Sequence, residues 1–184
     1  MGMNNSRNFD LLTLGQVLLR LSPPDNERLS RGDTFVKQVG GAELNVAVGA
    51  ALLGLHTGVI SKLPAHDIGS FMKGKIRSFG VSDDFFMYDQ SSAARVGIYY
   101  YENGAYPRKP KVIYDRNHSS FFSLDIDEIP EEVYTASKCF HTTGITLALN
   151  GDIRETTIEM IKRFKAAGTL VSFDVNFRGN LWTG

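Results

Sequence analysis

Short apolar runs and segments of helical period alternate along this chain, and that alternation leaves few folds open to it. Phe9-Asp10-Leu11-Leu12-Thr13-Leu14-Gly15 is a brief, nearly uninterrupted apolar run ending in glycine, as expected of a strand covered on both faces. From Ala42 the period lengthens. Leu44, Val48, Ala51 or Leu52, and Leu55 recur at helical spacing, with Glu43 in the first turn and Gly54 placed to end the helix. An extended stretch from Thr57 to Lys62 follows, then a helix carried by Ile68, Phe71 or Met72, Ile76 and Phe79 and stopped by Gly80, then a strand from Phe85 to Met87. After Pro130 the rhythm resumes with a strand from Lys138 to Thr142 and a helix from Arg154 to Ala166 that turns Ile158, Ile161 and Phe164 inward. Gly168 stops that helix, and Leu170 to Asp174 forms a further strand. Strands separated by helices need crossover connections, which predicts an α/β core with a mainly parallel sheet.

Two segments interrupt the rhythm. Val17 to Leu21 and Thr34 to Val39 flank Pro23-Pro24-Asp25-Asn26, while Arg95 to Tyr101 and Lys111 to Asp115 flank Asn103-Gly104 and Pro107 to Pro110. Each reads as a hairpin. Together they predict a small antiparallel β lid over the ends of the core strands, where open α/β sheets bind ligands. The division expected is a core of residues 1–15, 41–92 and 117–184 and a lid of residues 16–40 and 93–116. Period-two alternation directs Tyr99, Tyr114 and Arg116 toward the core. Val96, Ile98, Tyr100 and Val112 would then make an apolar outer face, which predicts a homodimer joined through the lids.

Composition narrows the partners. The 20 Lys and Arg balance the 20 Asp and Glu with no basic block, so nucleic acid is not expected and a small molecule fits better. One cysteine, Cys139, allows no internal disulfide and reads as a small buried strand residue. No basic segment leads into a long apolar run, so neither a signal peptide nor a membrane span is expected, and the reading is cytoplasmic. His56, His66, His118 and His141 lack the spacing of a metal site or of a nucleophile's base, and no metal is expected. Gly15-Gln16-Val17 after the first strand is not a Gly-x-Gly-x-x-Gly turn, which disfavours a dinucleotide.

Several short motifs fall in order on these elements: Gly40-Gly41-Ala42-Glu43-Leu44-Asn45-Val46-Ala47, Lys62-Leu63-Pro64, Gly97-Ile98-Tyr99, Val112-Ile113-Tyr114-Asp115-Arg116 and Asp174-Val175-Asn176-Phe177-Arg178. In that order and context the chain resembles the ribokinase-like, or PfkB, carbohydrate kinases, and among them those acting on 2-keto-3-deoxygluconate. The resemblance implies a ribokinase-like Rossmann-type core with a β-sheet lid, ATP as phosphoryl donor with Mg2+, and transfer to the terminal hydroxyl of a sugar acid. It implies substrate contacts from Gly40, Gly41, Asn45, Tyr99, Tyr114, Arg116 and Arg178. The family's Gly-Ala-Gly-Asp segment, with its anion hole and catalytic Asp, does not occur, so the nucleotide-binding half and the catalytic Asp are expected beyond Gly184. This chain alone is then expected to hold neither ATP nor Mg2+. Gln16 stands where relatives usually carry an acidic residue.

Each of these residues has an ordinary reading beside the functional one. Gly40-Gly41 before a helix frees backbone N–H groups for a ligand, or makes a plain tight turn. Asn45 could fix a hydroxyl or be a polar residue of the first helical turn. Arg116 and Arg178 suit a carboxylate that accepts paired hydrogen bonds; their ordinary fate is a surface ion pair, with Asp115 or Asp174 at hand. Tyr99 and Tyr114 can face a sugar or pack across strands. Arg108, between prolines, reads as solvated. A fructokinase- or ribokinase-type enzyme, and a non-catalytic sugar-acid-binding module, are the alternative readings.

Overall fold

The computed structural model describes residues 7–149 and 151–182. The core sheet is built from β1 (Phe9–Leu14), β4 (Thr57–Pro64), β5 (Val81–Ser82), β6 (Phe86–Asp89), β9 (Ser137–Thr143) and β10 (Leu170–Asp174). Its order is β10-β9-β1-β4-β5, with β6 pairing the far end of β4, and every pair is parallel. The expected parallel α/β core is therefore present. Helix α1 (Ala42–Leu52) and α2 (Asp67–Ser78) make the crossovers on one side, while α3 (Gly144–Leu147) and α4 (Ile153–Ala166) follow β9.

The central strands β1 and β4 are buried along nearly their whole length, as expected of a parallel sheet covered on both sides, and each face has its own core. On one face Leu12, Leu14, Phe140 and Ile60 meet Ile153, Met160 and Phe164 of α4 and Phe121, Leu124 and Val133 of the 3-10 turns. Phe140 stacks on Phe164 with ring centroids 4.0 Å apart. On the other face Val59 and Leu63 meet Leu44 and Ala47 of α1 and Met72 and Ile76 of α2. Two inward assignments need correction. Leu52 and Leu55 are 78% and 46% exposed, and the helix buries Glu43, Leu44 and Ala47 instead. In α4, Ile158 is exposed, while Thr156 and Thr157 take inward positions and satisfy their hydroxyls on the Leu124 and Ile153 carbonyls.

The second sheet contains β2 (Leu18–Ser22), β3 (Val36–Gly40), β7 (Gly97–Glu102) and β8 (Lys111–Asp115), in the order β3-β2-β7-β8. Within each hairpin the pairing is antiparallel; where the hairpins meet, β2 and β7 run parallel. That parallel seam arises because β2 and β7 are joined by a long excursion through the core and not by a turn. The register also corrects the expected outer face. Val112 lies opposite Tyr101, on the side of Tyr99 and Tyr114, whereas Ile113 lies opposite Tyr100. Val96 is buried and Ile98 partly buried against Val17, Leu19 and Leu44, so these two residues face the chain's own core, while Ile113 beside Tyr100 is 43% exposed. Arg108 is not solvated either. Its Nη2 donates to the Asn26 and Asn103 carbonyls at 2.6 and 3.3 Å, with Glu102 3.5 Å from Nε, tying the long loop of the first hairpin to the second.

Candidate functional site

A cavity of about 570 Å³ opens where the lid meets the carboxyl ends of the core strands, the position at which open parallel sheets gather their ligands. Three groups of residues wall it. Gln16 follows β1 and Leu18 opens β2, while the N-cap Gly41 with Glu43 and Asn45 forms the start of α1. Tyr99, Tyr114 and Arg116 face it from the lid. Ile145, Arg178 and Asn180 close it from beyond β9 and β10. Six of the seven expected site residues thus come together; the seventh, Gly40, is buried behind Tyr99, whose hydroxyl a Cβ on Gly40 would strike.

The floor depends on a backbone that only glycine adopts freely. Gly41 is the N-cap of α1 with φ 153° and ψ 142°, and a Cβ there would lie 2.7 Å from the Gln16 carbonyl oxygen. No side chain caps α1, so the first amides of the helix have no partner from a capping residue and are available to an anion or hydroxyl. Asn45, exposed, stands one turn in, its amide N–H bonded to the Gly41 carbonyl at 2.9 Å.

The two arginines are not spent on carboxylates. None of the ion pairs among the described residues includes Arg116 or Arg178. Asp115 pairs with Arg95 at 2.8 Å, and Asp174 accepts the Asn176 N–H at 2.9 Å. Arg116 instead donates Nε to Gln16 Oε1 at 2.7 Å and lies with its guanidinium carbon 5.8 Å from the centre of the Tyr114 ring. Burial pulls its pKa below the ordinary value, with Tyr114 and Glu43 opposing. Arg178 is exposed on the opposite wall, in a turn whose carbonyl accepts from the Leu181 and Trp182 amides at 2.8 and 3.2 Å. Tyr99 and Tyr114 form a tilted pair 6.0 Å apart; burial raises the Tyr99 phenol, so it stays a neutral donor.

Two residues to which the sequence reading gave no site role, Glu43 and Gln16, complete the walls. Glu43 is 2% exposed, and its Oε1 accepts from the hydroxyls of Thr143 at 2.6 Å and Thr146 at 2.7 Å, which fastens the start of α1 to the end of β9. Gly15 leaves the room for this carboxylate. Gln16 is 3% exposed and bonded into the lid. The arrangement presents two guanidinium groups, phenol and amide donors and a helix start to one enclosed volume, which suits an anionic, polyhydroxylated small molecule. Among the described residues there is no group of three His, Cys, Asp or Glu able to hold a metal ion, and no helix long and apolar enough to cross a membrane.

Comparison with known proteins gives a consistent result. Residues 8–184 match the family described as pfkB family carbohydrate kinase. The chain is 38% identical over 174 residues to a 2-dehydro-3-deoxygalactonokinase of Haloferax volcanii, covering 95% of this chain and 54% of the relative. It is 30% identical over 177 residues to a 5-dehydro-2-deoxygluconokinase of Clostridium botulinum, covering 96% and 51%. The crystal structure of a 2-dehydro-3-deoxygluconokinase from Thermotoga maritima superposes with a TM-score of 0.89 at 36% identity, covering 95% of this chain and 53% of that one. The chain spans about half the length of the curated relatives it matches.

Proposed function

Because the chain belongs to the pfkB family of carbohydrate kinases, we propose that it supplies the substrate-holding half of a sugar-acid kinase, whose complete form transfers phosphate from ATP to the terminal hydroxyl of 2-keto-3-deoxygluconate or a close stereoisomer. The observation that carries this reading is the pair of arginines without carboxylate partners, Arg116 and Arg178, on opposite walls of one cavity. A neutral sugar has no use for two uncancelled charges; the carboxylate of a keto acid accepts paired hydrogen bonds from them. The start of α1 and Asn45 would take the hydroxyls, and the Tyr99 and Tyr114 rings would shield the chain of carbons from water.

In this reading the contribution of these residues to phosphoryl transfer is positioning: a substrate gripped at its acid end by fixed groups presents its far hydroxyl in one place, which removes much of the entropy of encounter. The Gly-Ala-Gly-Asp segment that the family resemblance assigns to the anion hole and the catalytic Asp does not occur in this sequence. No phosphate, metal or proton-transfer step is therefore assigned to this chain. The test is Arg178→Ala in the complete protein, compared on 2-keto-3-deoxygluconate and on fructose. Loss of a charge-assisted pair from a half-desolvated site should lower kcat/KM for the acid by about one to two decades, about 1.5–3 kcal/mol, and leave any turnover of fructose nearly unchanged. Equal losses on both sugars would assign Arg178 to folding and remove the support for an acid substrate.

A further inference from the structure

Farther along the lid lies a second cavity, of about 420 Å³, which shares no lining residue with the first. Arg20 and Ser22 of β2, Gln38 of β3 and Asn103 just past β7 line it, under Pro23, Pro24 and Asp25 of the first hairpin loop. In the sheet Arg20 stands between Gln38 and Tyr99, so its side chain belongs to the face that also carries the substrate cavity. Arg108 holds the two hairpins around this space by donating to the Asn26 and Asn103 carbonyls.

Arg20 is fixed there without being neutralised. Its Nε donates to Ser22 Oγ at 2.9 Å, and its guanidinium carbon lies 4.3 Å from the centre of the Tyr101 ring. None of the ion pairs among the described residues includes it, and Asp25, the acidic residue of the lining, is exposed. Since Ser22 Oγ accepts from Arg20, its own proton is left to be donated elsewhere. The carboxamides of Gln38 and Asn103 make no hydrogen bond among the described residues.

We infer that this cavity is an oxyanion site, built for the phosphate group of a small molecule and distinct from the site that grips the sugar acid. The donors decide the class of ligand. The terminal nitrogens of Arg20, the Ser22 hydroxyl and the two carboxamides offer more N–H and O–H groups than the two oxygens of a carboxylate take up, whereas a phosphate group presents an oxygen to each. A neutral polyol would leave the guanidinium uncompensated. The Tyr101 ring and Ser22 already order the arginine, so the ligand is spared most of that entropy. None of this depends on which sugar is held by Arg116 and Arg178.

The test is calorimetric titration of the complete protein with inorganic phosphate and with glucose 6-phosphate, a non-hydrolysable ATP analogue being present to fill the donor's own site. Wild type, Arg20→Met, Gln38→Met and Arg178→Ala are compared, with thermal unfolding as the control for folding. Arg20→Met should weaken phosphate about tenfold. Gln38→Met, which removes one neutral donor, should weaken it about threefold and carries the test if Arg20→Met does not fold. Arg178→Ala should leave the affinity within about twofold. Tighter binding of the ester supports a phosphorylated sugar as the occupant, and equal affinity supports free phosphate. A wild type that binds neither at millimolar concentration, or an affinity untouched by both lid substitutions, overturns the site. Weakening confined to Arg178→Ala also overturns it, by placing the anion in the substrate cavity, and leaves the sugar-acid reading standing.

Discussion

At Gly41 the backbone sits in a region that side chains avoid, and the Gln16 carbonyl occupies the space a Cβ would need. Gly41→Ala should therefore cost about 1–3 kcal/mol of stability through strain, and, since it moves the start of α1, should also raise KM for the substrate; thermal unfolding alongside kinetics checks both, and an unchanged Tm would show that the turn relaxes freely. This position was legible in the sequence, because a glycine pair before a helix has few reasons to exist. Tyr99, Tyr114, Arg116 and Arg178 were legible too, each standing in a short motif at the end of a strand. Glu43 and Gln16 were not. Glu43 reads as an ordinary acidic residue of a first helical turn, and nothing local reveals that its acceptors' partners are Thr143 and Thr146, 100 and 103 residues away. Gln16 was visible only as a departure from relatives, since its three bonds all reach residues beyond 115.

At the scale of elements, periodicity identified the strands and helices but not always the face each one buries. A helical stripe in α1 can be drawn through Leu44, Val48, Leu52 and Leu55, yet the sheet and α2 cover only its first turns, and Leu52 and Leu53 are left 78% and 85% exposed. The lid was misjudged for the same reason: alternation separates Val96 and Ile98 from Tyr99 but cannot say that α1 and β4 lie beneath the first pair. The consequence is that the lid is not a loose flap. Val17, Leu19 and Val96 are continuous with the core of α1, α2 and β4, so Leu19→Ala should destabilise the whole chain by about 2–4 kcal/mol, as expected for a deep core truncation. Ile113→Ala, on the exposed edge strand, should stay within about 0.5 kcal/mol. Chemical denaturation of the two variants compares them directly; equal small effects would mean the lid unfolds separately from the core.

For the molecule as a whole, the cavity gathers two guanidinium groups, two phenols and the start of α1, and no Gly-Ala-Gly-Asp segment occurs in the sequence. Tyr99, Tyr114, Arg116 and Arg178 line the cavity, and the acidic residues on its walls are engaged elsewhere, Glu43 by two threonine hydroxyls and Asp115 by Arg95. Positioning alone leaves the proton of the attacking hydroxyl and the charge on the phosphoryl oxygens unattended, and these two account for most of the barrier that a kinase lowers. Along and beyond the edge strand β10, Leu170, Val175 and Phe177 are 68%, 66% and 67% exposed. The 184-residue chain should accordingly bind 2-keto-3-deoxygluconate without phosphorylating it. An assay that follows ADP release at saturating ATP and Mg2+ should give no signal above buffer, while calorimetric titration of the same preparation with the sugar acid should give heat that Arg178→Ala removes. Turnover at about 1–100 s⁻¹, ordinary for a kinase, would mean that a base and an anion-stabilising group lie among these residues, with Glu43 and Asp115 the first to substitute.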